Sequence, residues 1–130
     1  MLAAVAPRIV LVDDDHLYRE VMTGDLEDRG YAVAGFADGA ALLAAVQAGL
    51  EAEAALIDWT LPRMSGLDVL RALRARGCAL PVAFLTGRSA VEHEGQALQA
   101  GAAAFIDKAC SIDVLVQQLG RIIGRMSPST

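Results

Sequence analysis

Asp13, Asp14, Asp58, Thr86 and Lys108 are the residues of this chain whose types suit phosphoryl chemistry. Each stands at the end of a short apolar run. Asp13-Asp14-Asp15 follows residues 8–12, Asp58 follows 54–57, Thr86 follows 81–85, and Lys108 comes just after 103–106. Brought together, they form a set of carboxylates with one hydroxyl and one ammonium. Such a set is costly alone, since like charges 4 Å apart at an effective dielectric of 20 repel by about 4 kcal/mol. A hard divalent cation offsets that cost. Mg²⁺ favours a few carboxylates plus waters and phosphate oxygens. It also lets a carboxylate face an incoming phosphoryl group of the same sign. Transfer then needs mainly positioning and charge neutralisation. Asp58 is the candidate nucleophile. Lys108 would hold phosphoryl oxygens, and the Thr86 hydroxyl would donate to one of them.

The elements that must position these residues alternate in kind. Residues 8–12 read as a buried parallel strand, being β-branched without alternation. Residues 16–29 place Leu17, Val21, Met22 and Leu26 near helical spacing, with Gly30 as the terminating glycine and Asp15 as the N-cap. Residues 31–36 read as a second strand. Asp38 caps a helix running through Gln47. Residues 54–57 form a third strand and 66–76 a third helix. Residues 81–85 are a fourth strand, 91–100 a weaker helix, 103–106 a fifth strand, and 111–126 a fifth helix capped by Ser111.

Five βα units in so short a chain imply an α/β fold, a doubly wound parallel sheet with helices on both faces. The flavodoxin-like order 2-1-3-4-5 is the expected arrangement of these (βα)5 elements. It places ligands at the carboxyl ends of strands near the point where the order reverses. Strands one, three, four and five are then consecutive neighbours, so Asp13, Asp14, Asp58, Thr86 and Lys108 converge on one edge.

Composition narrows the alternatives. The 130 residues are 55% hydrophobic, which suits one domain, here assigned to residues 1–126 with 127–130 as a flexible tail or the start of a linker. The formal net charge of -5 disfavours nucleic-acid binding. Apolar runs fall short of the roughly 18 residues a membrane span needs. Residues 1–7 lack the basic region of a signal peptide, so the expected location is cytoplasmic. Cys78 and Cys110 read as ordinary reduced thiols, in keeping with that compartment. His16 and His93 lack ligand partners at useful spacing and read as surface residues, and Trp59 as a rim residue.

The strand-one ending Ile9-Val10-Leu11-Val12-Asp13-Asp14 resembles the acidic pair of response-regulator receiver domains. Residues 56–67, Leu-Ile-Asp-Trp-Thr-Leu-Pro-Arg-Met-Ser-Gly-Leu, resemble that family's phosphoacceptor segment. Phe84-Leu85-Thr86-Gly87 and the stretch from Gly101 to Lys108 resemble its remaining motifs. The resemblance implies a two-component phosphorelay receiver that takes a phosphoryl group from phosphohistidine onto Asp58. It implies Mg²⁺ held by Asp13, Asp14, Asp58 and the Thr60 carbonyl, with Asp14 the more direct ligand of the acidic pair. It makes Thr86 the switch hydroxyl, Lys108 the phosphate-contacting lysine, and Phe105 an aromatic that moves inward when Thr86 shifts. The implied partners are a sensor histidine kinase or histidine phosphotransfer protein. Downstream, a protein target or output domain would be met through the helix-four, strand-five and helix-five face.

The chain departs from the family pattern at Ala109, where a proline is usual. A non-proline cis bond costs about 2.5–4 kcal/mol, so a trans Lys108–Ala109 peptide is expected. Thr60 and Arg88 occupy the variable positions flanking the phosphoryl group. Two other readings stand beside the first. One is a receiver-like binding module that works without phosphorylation. The other is a phosphatase of the haloacid-dehalogenase type, for which Asp13 rather than Asp58 would be modified. Lys108→Ala is expected to spare folding while uncoupling phosphorylation from surface change.

Overall fold

Ile9, Val10, Leu11 and Val12 are all fully buried, the signature of a central parallel strand covered on both faces. They form β1 (Arg8–Val12). The remaining elements follow in strict alternation: α1 (His16–Asp28), β2 (Ala32–Phe36), α2 (Gly39–Gln47), β3 (Ala54–Asp58), α3 (Gly66–Ala75), β4 (Val82–Thr86), α4 (Val91–Gln99), β5 (Ala104–Asp107) and α5 (Ile112–Met126). The structure, a computed structural model, describes residues 6–87 and 91–126. Arg88 and the tail assigned to 127–130 lie outside the described residues.

The strands form one parallel sheet in the order β2-β1-β3-β4-β5, as the sequence predicts. Side chains alternate across it and feed two cores. Val10, Val12, Ala55, Ile57, Val82 and Phe84 face Leu42, Leu43, Val69, Leu70 and Leu73 of α2 and α3. Ile9, Leu11, Ala54, Leu56, Ala83 and Leu85 face Leu26 of α1 and Leu115, Leu119 and Ile122 of α5. Among the described residues no helix is long and apolar enough to cross a membrane.

Helix starts follow their caps. Asp15 accepts from the Tyr18 amide at 3.1 Å, Asp38 from Ala41 at 2.8 Å, and Ser111 from Val114 at 3.2 Å. Ser65 and Asp68 form a reciprocal capping box at the start of α3. Gly30 (φ 93°) and Gly77 (φ 77°) close α1 and α3 in the left-handed region, where a side chain would be strained.

Element ends shift by a residue where strands lengthen toward the site. β3 includes Asp58, β4 includes Thr86, and β5 extends to Asp107. One larger difference concerns α1. Leu17 and Val21 are 69% and 55% exposed, and the inward stripe is Tyr18, Met22 and Leu26. Both stripes have the i, i+4 spacing of a helical face. The cap at Asp15 and the packing on α5 select the second.

Candidate functional site

Strand register sets the geometry. Val12 lies beside Ile57, Asp58 beside Leu85, and Thr86 beside Asp107. Asp13 and Asp58 therefore leave the sheet at the same level, with Thr86 one residue and Lys108 two residues beyond it. The Lys108 amide donates to the Thr86 carbonyl at 2.8 Å, and the Trp59 amide to the Leu85 carbonyl at 2.8 Å. These bonds tie the three loops together. Gly66 permits α3 to start directly against β3: a Cβ there would stand 2.6 Å from the Asp58 carbonyl oxygen and 2.9 Å from the Phe84 ring.

Asp13, Asp58 and Thr86 are the buried polar residues among those described. Asp13 has no exposed surface. Its Oδ1 accepts from the Asp15 amide at 2.9 Å. Lys108 Nζ stands 2.6 Å from its Oδ2 and 3.2 Å from Asp58 Oδ2. The approach to Asp13 Oδ2 is short but lacks hydrogen-bond geometry, so that buried oxygen receives an ion-pair contact and no directed donor. Asp58 Oδ1 accepts from the Thr60 amide at 2.9 Å. Asp14 is exposed. With Asp58, Thr60, Thr86, Gly87 and Lys108 it lines a cleft of about 540 Å³.

The charges shape each other. Burial, with the Asp13 charge adding, holds Asp58 above the usual carboxylate range; the Thr60 amide and Lys108 pull the other way. Burial works against the Lys108 charge, but Asp13 and Asp58 outweigh it and raise its pKa. The cluster suits a metal. Asp13, Asp14 and Asp58 each offer a carboxylate oxygen within 4.8 Å of the others. The buried Asp13 Oδ2 without a directed donor is the kind of atom a cation satisfies, and an all-oxygen set is what Mg²⁺ takes.

The sequence-predicted residues thus gather: Asp13, Asp14, Asp58, Thr60, Thr86 and Lys108 all belong to this one edge. Phe105 lies next to it in an aromatic group. The ring centroid of Trp59 is 5.0 Å from that of Phe84, 5.3 Å from Phe105 and 5.5 Å from His93. His93, expected as a plain surface residue, is half-buried on Trp59 and lines the cleft. His16 is exposed, as expected, 3.1 Å from Glu20. The described residues contain no cis peptide, so Lys108–Ala109 is trans, and Lys108 reaches both acids all the same. Cys78 and Cys110 are free thiols; burial, then Asp107, pushes the Cys110 thiol up, which keeps it protonated.

Two residues were not picked out from sequence. Arg19 Nη1 donates to the Asp13 carbonyl at 2.6 Å and fixes the acidic loop from α1. Tyr18 places its ring 4.5 Å from Lys108 Nζ. Their shared signal is position in the first turns of the helix that the acidic loop feeds.

A family model described as the response regulator receiver domain matches residues 9–120. The chain belongs to the response-regulator receiver family. Receiver domains are signalling domains of two-component systems. This receiver is 35% identical over 121 residues to response regulator MprA of Mycobacterium sp. strain KMS, a match covering 93% of the chain and 52% of that protein. The chain therefore spans about half the length of the curated relatives it matches. Its fold is similar to the crystal structure of FixJ-N, with a TM-score of 0.86 at 26% identity over 99% of this chain and 100% of that one. It is similar also to chemotaxis response regulator CheY4 of Vibrio cholerae, with a TM-score of 0.82 at 26% identity over 90% and 98%.

Proposed function

We propose that this receiver accepts a phosphoryl group from a phosphohistidine onto Asp58, and that the transfer alters a protein-binding face made by α4, β5 and α5. The observation that carries the reading is Asp58 itself. It is a buried carboxylate at a strand end, held by the Thr60 amide and Lys108, opening on a cleft beside Asp14.

In the transfer an Asp58 oxygen bonds to phosphorus as the bond from phosphorus to the donor's imidazole nitrogen breaks. The electron pair stays with that nitrogen, and a proton already on the other ring nitrogen, or taken up from solvent, leaves neutral histidine on the donor. Lys108, shared between Asp58 and Asp13, follows the negative charge as it moves from the carboxylate to the phosphoryl oxygens. Asp13, Asp14, Asp58 and the Thr60 carbonyl would hold Mg²⁺, which when bound supplies the neutralisation that lets two anions meet. The Thr86 hydroxyl donates to a phosphoryl oxygen, and Phe105 follows its movement. Later attack of water on phosphorus returns the carboxylate and releases inorganic phosphate, without a separate enzyme. Thr60 lines the cleft in which that step takes place.

The donor is a sensor histidine kinase or histidine phosphotransfer protein in the cytoplasm. The reader is a protein or an output domain; a net charge of -5 speaks against nucleic acid as the partner of this chain. The reading is tested by incubating the protein with acetyl phosphate and Mg²⁺. One phosphoryl group per molecule is expected, none with a chelator, and none in Asp58→Asn. No labelling by any phosphodonor would overturn it and leave a binding module. Asp13, the nucleophile a phosphatase would need, is wholly buried against Lys108, which speaks for Asp58 as the acceptor.

A further inference from the structure

Lys108 is the only lysine in the chain; every other basic side chain apart from the two histidines is an arginine. Its ammonium stands 2.6 Å from Asp13 Oδ2, 3.2 Å from Asp58 Oδ2 and 4.5 Å from the centroid of the Tyr18 ring. The last is a cation–π contact well inside the usual limit of about 6 Å. The Lys108 side chain is only 20% exposed, so little water competes for the ammonium.

The ring is anchored from two sides. Its backbone amide donates to Asp15 Oδ1, and the Asp15 amide donates to Asp13 Oδ1. The loop that carries the acids thus also sets the ring. The side chain packs, with Met22, Cys110 and Ile112, against the core between the sheet and α5. Its hydroxyl stays protonated, because burial, then Asp13, Cys110 and Asp58, resist a further negative charge. Tyr18 therefore adds no charge to the cluster. What it presents to Lys108 is the ring face.

A lysine stem is long and flexible, and two carboxylates alone leave its ammonium free to settle on either. Asp13 is the nearer and the more deeply buried of the two. We propose that Tyr18 is a positioning residue, whose ring holds the Lys108 ammonium between Asp13 and Asp58 so that it meets the phosphoryl group as it arrives. This rests on the reading of Asp58 as phosphoacceptor.

The test compares Tyr18→Leu, which keeps apolar bulk but no ring, with Tyr18→Phe, which keeps the ring. Because the chain has one lysine, lysine labelled at the ε-carbon gives a single signal. With the ammonium 4.5 Å over the ring, ring current is expected to shift the Lys108 ε-methylene protons upfield in the unphosphorylated wild type. Tyr18→Leu is expected to move them toward free lysine, and Tyr18→Phe to restore them. The rate of labelling by acetyl phosphate at fixed Mg²⁺ is expected to fall about three- to tenfold in Tyr18→Leu and to return within about twofold in Tyr18→Phe. If Tyr18→Leu does not fold, Tyr18→Met takes its place with the same expectation. Equal labelling rates in the leucine and phenylalanine variants, or an ε-methylene signal unmoved by loss of the ring, would overturn the inference. A wild type that never labels would instead overturn the phosphoacceptor reading, and the lysine signal would still decide the ring contact.

Discussion

Asp58 and Lys108 carry opposite perturbations, and each has its own consequence for stability. Burial and the Asp13 charge raise the Asp58 pKa, so the folded protein keeps a proton that the unfolded chain has already released. Stability on that account is greatest in acid. It falls as pH rises from the ordinary carboxylate value through the raised folded one. Asp58→Asn removes that fall. The metal-free variant should melt above wild type once the pH is above the folded Asp58 value. The gain should vanish in acid; a variant melting at or below wild type above that value would contradict the account. Lys108 behaves in reverse. Its raised pKa contributes stability that is complete below the ordinary lysine value and lost as pH rises through the folded one. Lys108→Ala, expected from sequence to spare folding, leaves the wholly buried Asp13 without its cation. The metal-free variant should lose about 1–3 kcal/mol in a urea melt, with Mg²⁺ restoring part of it. An unchanged midpoint would show that Asp13 does not depend on Lys108.

At the scale of elements, the edge is built by register, and much of that was legible. Apolar runs ending in Asp13, Asp58 and Thr86, with Lys108 just beyond the last, were enough to place four strand ends side by side once the order was 2-1-3-4-5. Less legible was anything decided by which of two equivalent stripes a helix turns inward. Met22 and Leu26 face inward as the sequence predicts, but Leu17–Val21 and Tyr18–Met22 have the same spacing, and the cap at Asp15 with the packing on α5 separates them. That ambiguity hid Tyr18, and it left Leu17 and Val21 exposed beside the acidic loop. His93 was missed for a similar reason: α4 is short and weakly patterned, and its contact with Trp59 spans distant parts of the chain. Gly66 is a packing requirement that no local pattern reveals. Gly66→Ala pushes a methyl against the Asp58 carbonyl and the Phe84 ring. It should cost about 1–3 kcal/mol by overpacking. It should also slow labelling of Asp58, because the strand end that carries the carboxylate must shift. Normal stability with normal labelling would mean that α3 does not brace the site.

For the whole molecule, the sheet places a charge event at one edge while helices on both faces frame it. Trp59 joins the two: it follows Asp58 directly and touches Phe84, Phe105 and His93. As the only tryptophan, it is a built-in reporter. Beryllofluoride with Mg²⁺ should change its emission in wild type and leave Asp58→Asn unaffected; equal responses would detach the fluorophore from the acceptor. Everything proposed for the readout depends on where the phosphoryl group lands. The most direct measurement is therefore peptide mapping by mass spectrometry after acetyl phosphate and Mg²⁺ treatment. The expected result is one phosphoryl group, located on Asp58 and absent from Asp58→Asn. A group located on Asp13, or labelling that persists in Asp58→Asn, would contradict the account.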